Sequence, residues 1–302
     1  MAKQNNITAS DQSLKKILIP VDYSDSSRLA CKYAAKIACK LSAEVKFFHA
    51  YFTPSLDMIE LSGTAQIQSH LRDEVASDLE SSEKNNAEEF LKEVEKSFAE
   101  CKSIKIPISY EVKPGAPEDE ISAYCEEYHP DMVIMGTHGK GSANTIMGSV
   151  TESMIRKLKC PVMAIPEHYQ FEGSMNLKSL MYVTEFDESD FASIKKLMNL
   201  TAPLNLNIYC LHIGEEEGEW DRVKMDGLKE YFRKAYGRSK VNCGFVSGKN
   251  LIENINGLVQ SEKINILSLT SRRRNIIEKL FRENLTKKLF YHSNIPLLVF
   301  HG

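Results

Sequence analysis

Short apolar runs alternate with segments of helical periodicity along this chain, and the same order occurs twice. The sequence HSNIPLLVF near the C-terminus is similar to KLKCPVMAI in the first half, and LHI around His212 is similar to FHA around His49. Such self-similarity at about half the chain length indicates a duplicated fold. Strands that alternate with helices favour right-handed βαβ units, so each half is predicted to be a parallel sheet covered by helices.

Length and composition favour two soluble globular domains. The 302 residues are about twice the roughly 150 expected of one domain. A hydrophobic content of 42% with 26% charged residues is typical of globular proteins. The net charge of -3 gives no long-range attraction to nucleic acid or to an anionic membrane, so neither is expected as a partner.

No targeting or membrane segment is expected in this sequence. The first residues, MAKQNNITASDQSLKK, are polar and lack the apolar core of a secretory signal, and no apolar run is long enough to span a bilayer. The seven cysteines contain no C-x-x-C pair and are typical of buried thiols in a reducing compartment. These features predict a cytoplasmic protein.

The predicted fold class is α/β, with two tandem doubly wound domains. Each domain is expected to be an open parallel five-stranded sheet with helices on both faces. We predict a flexible tail over residues 1–14, a first domain over 15–166, a linker over 167–176 and a second domain over 177–302. The predicted strands cover residues 16–22, 45–51, 106–112, 131–135 and 162–165, then 180–185, 206–213, 241–247, 264–269 and 297–300.

A glycine-rich stretch after the fourth predicted strand carries most of the functional information. The glycines of Gly136-Thr137-His138-Gly139 allow backbone N–H groups to approach a bound group closely, because no Cβ stands in the way. After the second pair, Gly148-Ser149, the S-x-x-E spacing of Ser149 and Glu152 predicts a capping box and a helix start. A helix N-terminus of this kind favours phosphate oxygens.

The combination of strand, G-x-x-G, Gly-Ser, capped helix and closing C-P-V strand resembles the ATP-binding signature of the universal stress protein family. Members usually have nine residues between the second glycine and the third, whereas only eight separate Gly139 from Gly148 here. The resemblance implies an adenine nucleotide alpha hydrolase-like fold that binds ATP or a related adenine nucleotide. It also implies that Mg²⁺ or Mn²⁺ accompanies the phosphates.

The resemblance also implies a set of site residues. Asp22 and Ala50 would contact the nucleoside, although a helix cap or a loop carboxylate is the alternative role of Asp22. Lys140 would supply a charge contact, and Val150 and Thr151 would form the helix end over the phosphates. The full set is Pro20, Asp22, Ala50, Met135, Gly136, Gly139, Lys140, Gly148, Ser149, Val150 and Thr151.

The sequence leaves enzymatic activity open and assigns no catalytic or metal-ligating residue. His138 is the local candidate for a base near a γ-phosphate, and a loop histidine turned to solvent is its alternative role. His49 is predicted to be a core histidine on a strand. No Walker-type loop, H-E-x-x-H motif or clustered Cys/His set is found.

The second half repeats the scaffold without the glycines. Alignment of the two halves puts Thr270 and Arg273 at the positions of Gly136 and Gly139, Glu283 and Asn284 at those of Gly148 and Ser149, and Glu185 at that of Asp22. Side chains at the former glycines obstruct a bound phosphate, so no ATP is expected there, and a structural or regulatory role is predicted. The alternative for the whole chain is a binding module that holds no ATP and acts through partners or another small ligand.

The resemblance further implies how the two halves associate. Family members pair their final strands across a dimer, so residues 162–165 are expected to meet residues 297–300 in an intrachain pseudo-dimer. A signalling partner protein and a further homodimer remain open at this point.

Overall fold

The computed structural model describes residues 15–52, 65–99, 105–138, 147–170, 177–184, 188–214, 216–236, 241–247, 251–271 and 294–301. The strands are β1 Lys16–Pro20, β2 Glu44–Tyr51, β3 Ile108–Pro114, β4 Met132–Gly136, β5 Val162–Ile165, β6 Ser179–Thr184, β7 Asn207–Gly214, β8 Val241–Ser247, β9 Ile266–Ser271 and β10 Leu297–His301. The helices are α1 Asp25–Leu41, α2 Ala65–Phe98, α3 Pro117–Tyr128, α4 Ser149–Lys157, α5 Glu188–Thr201, α6 Glu219–Tyr236 and α7 Leu251–Ser261.

The continuous apolar runs form buried parallel strands, as predicted. All five residues of β4 and all four of β5 are buried, because helices cover both faces of the sheet at these positions. Helix α1 begins after Ser24, whose hydroxyl accepts a hydrogen bond of 3.1 Å from the backbone N–H of Ser27.

The ten strands form one continuous sheet in the order β3-β2-β1-β4-β5-β10-β9-β6-β7-β8. Within each half the order is the same and the pairing is parallel. The halves meet where β10 runs antiparallel to β5, with Leu298 opposite Met163. This contact confirms the expected pseudo-dimer, and it makes the two predicted five-stranded sheets into halves of a single sheet.

The two halves also share their hydrophobic core. Alternate residues of β10 point to opposite faces of the sheet, so Leu298 packs in the same cluster as Met163 on one face. Val299 packs in the same cluster as Val162 on the other face. The hydrophobic core is therefore continuous from one half to the other on both faces of the sheet.

The long helix α2 crosses from β2 to β3 over the first half. Phe90, Val94 and Phe98 of this helix are buried in the hydrophobic core. The helix begins at residue 65 and ends at residue 98. The connection before it, residues 53–64, lies outside the described residues.

Within the described ranges, no helix combines the length and apolar character needed to cross a bilayer. The same residues include no group of three or more His, Cys, Asp or Glu side chains suited to hold a metal ion. Among the described cysteines, Cys39 differs from the expected thiols, because it is disulfide-bonded.

Candidate functional site

A cavity of about 480 Å³ opens at the carboxyl ends of β1, β2 and β4 in the first half. Its volume lies within the roughly 300–1,000 Å³ of small-molecule sites, and its position is where ligands bind in open α/β sheets. The predicted site residues that line it are Pro20, Asp22, Ala50, Met135, Gly136, Gly148, Ser149, Val150 and Thr151. Gly139 and Lys140 lie outside the described residues.

Asp22 lies in the loop between β1 and α1 and lines the cavity. Its Oδ1 accepts hydrogen bonds from the hydroxyl of Ser27 at 2.5 Å and from the backbone N–H of Ser24 at 3.1 Å. The carboxylate therefore stabilises the start of α1, as the alternative interpretation of the sequence expected. Asp22 still lines the cavity while it makes these bonds, so stabilising the start of α1 is compatible with contacting a bound nucleoside.

Gly136 ends β4, and its lack of a side chain has a packing cause. A Cβ at this position would lie 2.2 Å from the hydroxyl oxygen of Ser26 and 2.8 Å from its backbone carbonyl oxygen. The start of α1 therefore packs directly on the Gly136 backbone. The sequence interpretation attributed this glycine to the approach of a bound group, and the close approach of α1 is a sufficient reason for it.

Helix α4 begins one residue away from the predicted cap. Gly148 is the N-cap and Ser149 is the first helical residue, so the predicted capping box is wrong. The Glu152 carboxylate accepts a hydrogen bond of 2.8 Å from the Arg156 guanidinium. The N-cap Gly148 has no side chain to cap the helix, and the first-turn residues Ser149, Val150 and Thr151 line the cavity, so the positive end of the helix dipole lies at the cavity wall.

Thr151 fixes α4 against the sheet. Its buried hydroxyl donates a hydrogen bond of 2.8 Å to the carbonyl oxygen of Gly136. The backbone N–H of Gly148 donates at 2.6 Å to the carbonyl oxygen of Thr137. These bonds hold the start of α4 at a fixed height above the end of β4.

The cavity wall also contains residues that the sequence did not indicate. Glu83 and Asn86 of α2 line the cavity. His49 donates from Nδ1 to the carbonyl oxygen of Val21 at 2.7 Å, since a carbonyl oxygen only accepts. Its Nε2 lies 3.5 Å from the Glu83 carboxylate. His49 was predicted to be a core histidine; its side chain is 11% exposed, and it joins the end of β2 to α2 at the cavity wall.

Tyr23 completes this wall. Its ring lies 4.3 Å from the ring of His49, measured between centroids. Burial, with a smaller contribution from the Glu83 carboxylate, raises the pKa of Tyr23 well above its usual value. The phenol is therefore neutral at physiological pH.

Comparison with known proteins assigns the family. The sequence model of the universal stress protein family matches residues 13–166, about half of the chain. This chain belongs to the universal stress protein family. A universal stress protein of Methanocaldococcus jannaschii is 34% identical over 163 residues, which are 53% of this chain and 88% of that protein. A second from the same organism is 28% identical over 159 residues, or 50% and 94% of the two chains.

Solved structures extend the similarity to both halves. A universal stress protein from Archaeoglobus fulgidus superposes with a TM-score of 0.66 at 17% identity, over 95% of this chain and 96% of that one. A Pseudomonas aeruginosa protein described with the same family name superposes with a TM-score of 0.58 at 11% identity, over 96% and 94%. At these identities the similarity shows the fold, including the tandem arrangement.

His138 occupies an enclosed position in this universal stress protein. Its side chain is 17% exposed and lines the cavity, so the alternative of a loop histidine turned to solvent is wrong. Its Nδ1 lies 3.0 Å from the hydroxyl of Thr137 and 3.5 Å from the carboxylate of Glu167. These contacts hold the ring beside β4.

The second half of this universal stress protein differs at the position of Gly136. Thr270 of β9 pairs with Phe300 as Gly136 pairs with Ile165, and its buried hydroxyl lies 2.5 Å from the Tyr182 hydroxyl. A hydrogen-bonded side chain thus occupies this position, as the alignment of the halves predicted. The other aligned positions, 185, 273, 283 and 284, lie outside the described residues.

The two halves nevertheless repeat one contact. His212 of β7 has its Nδ1 3.1 Å from the carbonyl oxygen of Thr184 and its Nε2 3.4 Å from the Asp221 carboxylate. His49 makes the same pair of contacts in the first half. The echo between FHA and LHI therefore corresponds to an equivalent structural position.

Proposed function

We propose that the first half of this chain binds ATP or a related adenine nucleotide in the cavity described above. The second half holds no nucleotide and has a structural or regulatory role, and the protein acts in the cytoplasm. Mg²⁺ or Mn²⁺ accompanies the phosphates. The observation that carries the proposal is that chain segments far apart in sequence, at residues 20–22, 50, 135–136 and 148–151, line one cavity.

The cavity walls have the chemistry that a nucleotide requires. Apolar side chains of Phe48, Ile121 and Met135 offer a surface for a base. The carboxylate of Asp22 accepts hydrogen bonds, which suits the hydroxyl groups of a ribose. The first turn of α4 offers amides and a positive dipole end, which suits phosphate oxygens.

Analysis of copurified ligand is the first test. The protein is purified without added nucleotide and denatured, and the supernatant is analysed for adenine nucleotides by chromatography. The stripped protein is then melted with Mg²⁺ and either ATP or GTP. Ligand at about 100 times its Kd stabilises the folded state by about 2.7 kcal/mol, so we expect a rise in Tm of several degrees with ATP. No copurified nucleotide and no shift with ATP would refute the proposal.

A matched pair of variants locates the site. Asp22→Asn keeps the acceptor that the start of α1 needs but removes the charge, so we expect ATP affinity to fall roughly tenfold with little loss of stability. Asp131→Asn makes the same change at a carboxylate that bonds Lys15 and the backbone of Lys16 outside the cavity. Calorimetric titration should show normal affinity for this control.

The family fold without a nucleotide is the second candidate. It is favoured by the eight-residue interval between Gly139 and Gly148, one residue shorter than the usual signature. Under this alternative the protein acts through a partner or another small ligand. A panel of adenine nucleotides, guanine nucleotides and inorganic phosphate in the same melting assay separates the two candidates, since only the first predicts an adenine-dependent shift.

A further inference from the structure

Two thiols lie side by side in the second half of the chain, on neighbouring strands. Cys210 of β7 and Cys243 of β8 are register partners in the parallel pairing of these strands. Register partners in adjacent strands point to the same face of the sheet, and the strands lie about 4.8 Å apart. This separation is within the roughly 4.4–6.8 Å between Cα atoms that a disulfide spans. Both residues carry thiols in this structure.

The two side chains are also in contact. They pack in the same hydrophobic cluster on one face of the sheet, and the thiol of Cys210 donates a hydrogen bond to the sulfur of Cys243. The two residues differ in their access to solvent. Cys210 is 3% exposed, whereas Cys243 belongs to the last strand of the sheet and is partly exposed. A small reagent therefore reaches Cys243 first.

The surroundings of Cys243 favour its thiolate, which is the reactive form of a cysteine. The hydrogen bond from Cys210 lowers the pKa of Cys243 below its ordinary value, although burial opposes this effect. Helix α6 packs on this face of the sheet, and the charge of its Lys229 also lowers the pKa of Cys243, whereas the Asp226 carboxylate raises it. A partly exposed thiol with a lowered pKa beside a second thiol is the arrangement of redox-sensing cysteines.

We propose that Cys210 and Cys243 form a thiol pair that hydrogen peroxide, or another hydroperoxide, oxidises reversibly to a disulfide. The Cys243 thiolate attacks the peroxide, so the O–O bond breaks and Cys243 becomes a sulfenic acid, while the other oxygen takes up the original thiol proton and leaves as water. The sulfur of Cys210 then attacks the sulfenic sulfur. The S–S bond forms, and the displaced hydroxyl group leaves with the Cys210 proton as a second water. The two thiols lose two electrons, and the peroxide gains them.

The disulfide joins the last strand of the sheet covalently to its neighbour. In a reducing compartment such a bond is transient, because thiol reductants restore both cysteines by exchange. The pair therefore gives the second half, for which a structural or regulatory role is proposed above, a response to oxidants. This inference does not depend on nucleotide binding in the first half.

Peptide mapping of the unaltered chain is the first test. The reduced protein is treated with hydrogen peroxide, denatured, blocked with iodoacetamide and digested, and the peptides are analysed by mass spectrometry without reduction. We expect a linked pair of peptides that contains Cys210 and Cys243 and that separates after dithiothreitol is added. The fully buried Cys31 is the internal control, because burial raises its pKa well above the ordinary value and it should stay a thiol. Recovery of Cys210 and Cys243 as alkylated thiols, at peroxide levels that oxidise glutathione, would overturn the proposal.

Two matched variants test which sulfur reacts first. Cys210→Ser keeps a hydrogen-bond donor beside Cys243 but removes the second sulfur, so the sulfenic acid on Cys243 should persist and react with dimedone. In Cys243→Ser the remaining thiol is buried, and we expect roughly tenfold less dimedone adduct on Cys210. Circular dichroism checks that both variants fold. Equal labelling of the two variants would contradict the assigned order, and the mapping of the unaltered chain tests the disulfide without either substitution.

A pair of lysine variants tests the part that charge plays. Lys229→Gln removes a charge that favours the Cys243 thiolate, so we expect disulfide formation at neutral pH to slow severalfold. Lys234→Gln makes the same change further along α6, where the ammonium group lies 3.2 Å from the Glu230 carboxylate. This control should react at the rate of the parent protein. Equal slowing in both variants, or no slowing in Lys229→Gln, would contradict the assigned activation of Cys243.

Discussion

Gly136 illustrates how one missing side chain sets the distance between β4 and α1. In Gly136→Ala, a Cβ would meet the backbone carbonyl oxygen of Ser26 at 2.8 Å, and a backbone atom cannot rotate away. We expect the free energy of unfolding, measured by denaturant titration, to fall by about 1–3 kcal/mol. Gly257→Ala is the control, because its open surroundings accept a methyl group, and there the helix should gain up to about 1 kcal/mol.

Tyr124 gives the fold a dependence on alkaline pH. Its ring stacks on Phe48, and burial, aided by nearby carboxylates, raises its pKa from 10.0 to about 12. The folded state therefore holds this proton more tightly than the unfolded state, so the resulting stability is complete below pH 10 and is lost as pH rises through 12. Tyr124→Phe keeps the ring and should lessen the fall in unfolding free energy over that interval. Equal slopes for both proteins would contradict this assignment.

At the scale of single residues, the sequence was informative where strand ends fix a position. Asp22 could be placed because it follows the carboxyl end of the first apolar run, whereas Ala50 was placed by the resemblance to the family, and both line the cavity. Glu83 could not be placed, because its position depends on how α2 lies over the sheet. The local sequence shows it only as one acid in a polar helix.

Among the elements, α4 is held by a bond that the sequence did not indicate. Thr151→Val keeps the shape of the side chain but leaves the buried carbonyl oxygen of Gly136 without this donor. We expect a loss of about 1–3 kcal/mol in unfolding free energy, and weaker ATP binding as the helix start shifts. Thr151→Ser retains the hydroxyl and should behave nearly as the parent protein in both denaturant and calorimetric titrations.

The order of elements was predictable, but the boundaries of α4 were not. Strands and helices alternate in the predicted order because apolar runs and helical stripes have different periods. The S-x-x-E spacing at Ser149 predicts that Glu152 bonds to the start of the helix. Glu152 also lies one turn before Arg156, so a salt bridge to Arg156 is a second possible contact for the same carboxylate. The salt bridge forms, and the helix is capped by Gly148.

Over the whole molecule, the proposal predicts one nucleotide per chain. Thr270 fills the position of Gly136 in the second half with a buried side chain hydrogen-bonded to Tyr182. Calorimetric titration with ATP should therefore give a stoichiometry of one, and Asp22→Asn should weaken that single site. Two equivalent sites would contradict the division of roles between the halves.

The antiparallel contact of β5 with β10 fixes which half lies beside which in every molecule. Because both strands belong to one polypeptide, dilution cannot separate them, and neither half can exchange its neighbour for a copy of itself. The two halves are thus present in every molecule in a ratio of one to one, whatever the abundance of the protein. Any ligand bound by the first half would therefore have the same neighbouring half beside it in every molecule.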